Sequence, residues 1–280
     1  MSLLEKRTKN LSRGLSSSLT KLTKEVTPKS VHHLRTTIRR IETLIASTPL
    51  DLSKKQKTSQ GKLANLRRRA GKVRDFDVQL DLLGAIANGS TATDRRMLAE
   101  YLQGKREKQA VRLIEDIENI KASKFPSHMK TVFQKVPEAQ QPQASGEPLA
   151  RAKQRLSALG AELLDPDALK PNLLHDLRIK LKKVRYLAEL GEESEEQQGF
   201  LSALKAVQDA LGVWHDWEEL ANTAEKQFGD RANCPLLLEI RALFTVKESA
   251  AKASVAQLFA HSVRKEPRSI DSVQKLAKHA

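Results

Sequence analysis

Histidine, arginine and lysine recur in one fixed pattern at two places in the chain. His32, Arg35, Arg39 and Arg40 form the first set; His175, Arg178, Lys182 and Lys183 form the second, with Arg185 added. An α-helix turns about 100° per residue, so Arg35, Arg39 and Arg40 fall at about 300°, 340° and 80° from His32. Val31, Leu34, Ile38, Ile41 and Ile45 fall between about 180° and 260°, which sets an apolar side opposite the basic one. Leu174, Leu177, Leu181, Val184 and Ala188 take the same angles in the second set. A charge run on a helix is ordinarily a solvated face, but such faces commonly alternate in sign. Here acidic residues at i+4 are nearly missing, and like charges at that spacing repel. The stripe therefore suits an anion lying across it. Each histidine begins its stripe near an expected helix start, where free N–H groups and the helix dipole attract anions. The ordinary alternative for each is a packed or capping imidazole. Neither histidine has a second one at i+3 or i+4, and no thiolate set exists, so no metal site is expected.

Cations are densest in the first half. From Lys29 to Arg74 there are 13 of them against Glu42 and Asp51, a net of +11 out of +15 for the whole chain. The equivalent stretch of the second half is interrupted by Glu189, Glu192, Glu193, Glu195 and Glu196. The first half is thus expected to contribute more binding energy. Between Lys62 and Arg74 the cations point in nearly every direction, so some must be structural. Arg67 and Arg74, seven residues apart, share a side, with Leu63, Leu66, Ala70 and Val73 buried. Asp75, Asp77 and Asp216 are expected to orient neighbouring arginines or to cap helix breaks at Gly71 and Gly212.

The elements that must carry these residues are helices. Apolar residues recur at helical spacing nearly throughout, and no period-two run marks a strand. Expected helices lie near 3–25, 28–47, 54–87 and 93–122, with a short one near 127–136. Beyond a linker they lie near 148–164, 167–190, 195–227 and 234–262, with a short tail helix near 269–278. The linker, PEAQQPQASGEP over 137–148, is polar and proline-rich. It separates a first half, 1–136, from a second, 148–280, with 137–147 between them. The halves read as diverged repeats. Val31-His32-His33-Leu34-Arg35 matches Leu174-His175-Asp176-Leu177-Arg178, and Gly71-Lys72-Val73-Arg74-Asp75-Phe76 matches Gly212-Val213-Trp214-His215-Asp216-Trp217. The motif order and nearly the spacing are kept, as duplication of a four-helix unit would produce.

Composition bounds the partner. With 49 Lys and Arg against 34 Asp and Glu, the net charge of +15 calls for an anion: nucleic acid, an acidic membrane, or a phosphate polymer. Aromatics are only 4%, so the core must rest on aliphatic residues. The single cysteine, Cys234, cannot form an internal disulfide, which fits a reducing compartment. The N-terminus lacks the apolar run of a signal peptide, and no stretch approaches the roughly 20 apolar residues of a membrane span. A soluble, cytoplasmic protein is the expectation.

The motif His-x-x-Arg-x-x-x-(Arg/Lys)-(Arg/Lys) on an amphipathic helix is followed about 40 residues later by a Leu/Arg-rich segment. That segment ends Gly-x-Val-Arg-Asp-x-Asp, and the pairing occurs twice. The chain in this respect resembles the CHAD family, named for its conserved histidine α-helical domain. The resemblance spans nearly the whole chain, making it one CHAD domain. It implies an all-α fold of two pseudo-symmetric four-helix bundles whose basic helices line a shared groove, binding of inorganic polyphosphate, and association with polyphosphate granules. The residues it points to are His32, Arg35, Arg39, Arg40, Arg67, Arg74, His175, Arg178, Lys182, Lys183 and Arg185. There are departures: His33 follows the first motif histidine in place of an acid or amide. His215 stands where Arg74 stands in the first half, and Gln208-Asp209 where Arg67-Arg68 do.

Two rivals are set beside that reading. A single-strand nucleic-acid binder would interleave aromatics with its cations for base stacking, and the stripes contain none. Trp214 and Trp217 are expected in the core. A polyphosphate-processing enzyme would need a phosphate loop or paired carboxylates among the basic helices to hold Mg²⁺. Neither is seen, so no enzymatic activity, catalytic residue, metal or cofactor is expected, nor a membrane role.

Overall fold

The computed structural model of the chain describes residues 3–86, 91–139, 147–162, 170–231 and 234–264, and every regular element among them is an α-helix. In chain order these are α1 Leu3–Leu22, α2 Pro28–Ser47, α3 Lys54–Ala85, α4 Ala92–Ala122, α5 Phe125–Glu138, α6 Glu147–Glu162, α7 Pro171–Ala188, α8 Glu195–Phe228 and α9 Pro235–Arg264. The expected tail helix at 269–278 and most of the linker lie outside the described residues. Most boundaries lie within three residues of expectation, and two of the differences have a clear cause. α5 continues through Pro137 to Glu138, because a proline in the last turn removes only one backbone bond. α7 starts at Pro171 rather than 167, since proline suits the first helical position and its fixed φ opens a helix there.

Local chemistry sets the phase of the basic helices. The Thr27 side chain accepts from the Ser30 amide at 3.2 Å, and the Ser30 hydroxyl accepts from the Thr27 amide at 3.0 Å. This reciprocal cap, with Pro28 behind it, fixes the start of α2. Ser53 and Gln56 cap α3 in the same way, and Ser194 caps α8 through the Gln197 amide at 3.1 Å. α3 and α8 run unbroken through Gly71 and Gly212, so Asp75 and Asp216 cap nothing. Gly71 has a different use. The Arg35 guanidinium carbon would lie 3.9 Å from a β-carbon placed there, so the bare backbone makes a shelf for that head group.

Three cores hold the helices. The first joins α1, α2, α3, α4 and α5 around Leu34, Ile38, Ile41, Leu63, Leu66 and Leu113. The second joins α6, α7, α8 and α9 around Leu174, Leu181, Leu204, Leu211 and Trp214. A third is shared: Leu83, Leu98 and Leu102 of α3 and α4 pack with Trp217, Leu220, Phe228, Leu236 and Ile240 of α8 and α9. Full burial of each such side chain contributes about 1.5–3 kcal/mol. The shared core therefore fixes how the two halves meet. Both tryptophans are buried, as expected.

Within each half the long helices pack in sequence, α1 on α2 on α3 on α4, and α6 on α7 on α8 on α9. Between halves α2 contacts α7 and α3 contacts α8. Arg106 adds a polar anchor. It donates to the buried Asp77 at 2.6 Å and to the Val26 carbonyl at 2.8 Å, tying α4 to α3 and to the turn before α2.

Candidate anion-binding site

Where α2 and α3 meet α7 and α8, the two basic stripes face each other. His32, Arg35 and Arg39 come from α2, Arg74 and Asp75 from α3, His175, Arg178 and Lys182 from α7, and His215, Asp216 and Glu219 from α8. Arg35 binds Asp75 at 3.4 Å, and Asp216 is the leading anionic neighbour of Arg178. The His175 and His215 rings lie 5.3 Å apart. Asp75 keeps 47% of its side-chain surface exposed, yet enough protein surrounds it that burial dominates its titration. The meeting line is thus open to solvent at Asp75, and we take it as the groove between the halves.

Burial governs titration there, and crowding of like charge adds to it for the bases. Burial, followed by Arg178, Arg39 and Arg35, brings Lys182 down to about 7, against the pull of Asp216. Burial and then Arg178, His175, Lys182 and Arg35 push His215 down to about 3, so its imidazole is neutral. His32 is lowered by burial, then by Arg74, Arg35 and Arg39. Burial raises Asp75 and Asp216, against the arginines beside them.

The cations differ in what already satisfies them. Among the described residues, neither the Arg39 nor the Lys182 side chain has a hydrogen bond or ion pair, and the Arg178 Nε is buried with no acceptor. Other arginines are engaged. Arg67 pairs with Glu42 at 2.7 Å, Arg69 with Asp116 at 2.9 Å, and Arg40 and Arg185 share Glu189 at 3.0 and 3.1 Å.

The sequence-derived candidates therefore divide. His32, Arg35, Arg39, Arg74, His175, Arg178 and Lys182 converge on the groove. Arg40 and Arg67 join helices through carboxylates, Arg185 pairs with Glu189 at the end of its own helix and reaches Gln208 of α8 at 3.3 Å, and Lys183 is exposed. Residue order carries no sign of the Arg40–Glu189 contact, whose partners are 149 residues apart. It also missed Glu219. Asp75 comes from α3 and Asp216 and Glu219 from α8, and Asp75 raises the titration of both others. Among the described residues they do not assemble into a cluster able to hold a metal ion.

This geometry defines a helical domain with cations gathered at the junction of its halves. The chain belongs to the CHAD domain family, whose model matches residues 14–225. It is similar to the crystal structure of the CHAD domain from the plant Ricinus communis, with 17% identity, 92% of each chain covered and a TM-score of 0.66. At that identity the likeness is one of fold. No curated protein matches the chain. Among the described residues no helix is long and apolar enough to cross a membrane.

Proposed function

We propose that the chain binds inorganic polyphosphate in the groove between α2 and α7, without turnover. One observation carries this reading: among the described residues Arg39, Lys182 and the Nε of Arg178, from both halves, act on one another with no hydrogen-bond acceptor. Burying a cation without a partner is costly, and a phosphate chain would relieve that cost at three places at once. Its charges repeat along the backbone and it bears no bases, so guanidinium and ammonium groups suffice to hold it. Asp75 and Asp216 orient Arg35 and Arg178 in this view and transfer no proton. Family membership supports the reading, and from it follow a cytoplasmic site of action and association with polyphosphate granules. The matched pairs Arg35–Asp75 and Arg178–Asp216 support descent of 1–136 and 148–280 from one duplicated unit.

Single-stranded RNA is the rival ligand. The groove offers no tryptophan, tyrosine or phenylalanine for stacking, since Trp214 is fully buried behind His215. The test is a competition between long-chain polyphosphate and RNA of equal charge at two salt concentrations. Polyphosphate should win at both, with affinity falling steeply as salt rises. Preference for RNA would refute the assignment.

A further inference from the structure

Lys182 combines features that phosphate binding does not require. Its amine has no hydrogen bond or ion pair, it is partly exposed, and it lies among Arg35 and Arg39 of α2 and Arg178 of its own helix. Asp216 of α8 is its leading carboxylate neighbour, and His215 of α8 faces it as well. Arg74 and Asp75 of α3 act on the neighbouring Arg35 and Asp216. A desolvated, unpaired amine beside guanidinium groups is arranged as a nucleophile with a phosphate holder next to it.

We infer that Lys182 is a site of covalent acylation by small acyl phosphates, the guanidinium groups of Arg39 and Arg178 receiving the phosphate end. The Nζ lone pair adds to the acyl carbon and a C–N bond forms. The bond from that carbon to the bridging oxygen breaks, and inorganic phosphate leaves with the electron pair. The amine's proton passes to the solvent. The product is a neutral amide that cannot take up a proton when a polyanion binds, so acylation weakens the groove's hold on one. The inference rests on the reading of the groove as a phosphate site, but not on the length of the phosphate chain.

A group that titrates at about 7 is largely neutral at pH 7.5, whereas an ordinary lysine is neutral in only about one molecule in a thousand. The full-length chain is incubated with acetyl phosphate from pH 6.5 to 10, and tandem mass spectrometry separates Lys182 from Lys183. Lys182 should react at least about tenfold faster than exposed Lys183 at pH 7.5, and its rate should level off above about pH 8 while that of Lys183 keeps climbing. Polyphosphate should slow Lys182 alone. Arg39→Gln, whose side chain supports no other contact, should reduce the preference for acetyl phosphate over the uncharged ester p-nitrophenyl acetate. Equal rates at the two lysines would overturn the inference, as would a Lys182 rate still rising at pH 10 or equal use of the two reagents. Binding of polyphosphate is titrated separately. Selective acylation without polymer binding would retire the polyphosphate reading and leave this one standing.

Discussion

Binding of a polyanion to this groove should take up protons, with Lys182 as the principal acceptor between pH 6 and 8. In the free protein Lys182 titrates at about 7, held down by burial and by Arg178, Arg39 and Arg35. A phosphate chain against it replaces that repulsion with attraction and raises its pKa in the complex. The complex then binds more protons than the free protein, so affinity increases as pH falls. The gain accumulates from the raised pKa down to about 7 and levels off below it, where the free protein is already protonated. With a free-state pKa of about 7, the protonated fraction is about 0.1 at pH 8 and 0.9 at pH 6. Affinity should therefore rise nearly tenfold over that span, about 1.4 kcal/mol. His215 at about 3 stays neutral throughout, and His32, already lowered, adds to the effect only at the acid end. Calorimetry at pH 7 in buffers of different ionisation heat should show uptake of on the order of half a proton per site. Lys182→Met should flatten the pH dependence and abolish the uptake. A slope unchanged in that variant would refute the reasoning.

Four further outcomes follow. Arg39→Glu should remove most polyphosphate binding and leave the thermal midpoint nearly unchanged, because its side chain has no hydrogen bond or ion pair to lose. Circular dichroism melts and a binding titration check this together. Arg67→Gln and Arg185→Gln should do the reverse, lowering stability by about 1 kcal/mol with little loss of binding, as read from denaturant midpoints beside the same titration. Arg106→Ala leaves the buried Asp77 unpaired and should cost about 3–5 kcal/mol of unfolding free energy in a urea melt. Replacing Arg39 by Gln and Lys182 by Met together should reduce the slope of log affinity against log salt by about one to two, whereas Lys183→Met should change it little.

Much of this was legible from residue order alone. The 3.6-residue period of apolar positions dictates helices without reference to any partner, and Thr27-Pro28 and Ser53 mark where two of them begin. The same period sets His32, Arg35 and Arg39 opposite Val31, Leu34 and Ile38, since side-chain direction on a helix depends only on spacing. The repeat of that pattern at His175, Arg178 and Lys182 located the second wall of the groove. Which cations remain available was not legible. Arg67 and Arg185 look equivalent to Arg39 on a helical wheel, but Glu42 and Glu189 take them, and Glu189 reaches Arg40 across 149 residues. Nor did the sequence show that Asp75, Asp216 and Glu219 would gather, or that Lys182 would be driven down to about 7. These are properties of how the halves meet, and that is set by the shared core of Leu98, Leu102, Trp217, Phe228 and Ile240. Helical phase is a local quantity fixed by neighbours along the chain. Burial, pairing and the field at a charge depend on groups brought close by packing, so only the tertiary structure decides them.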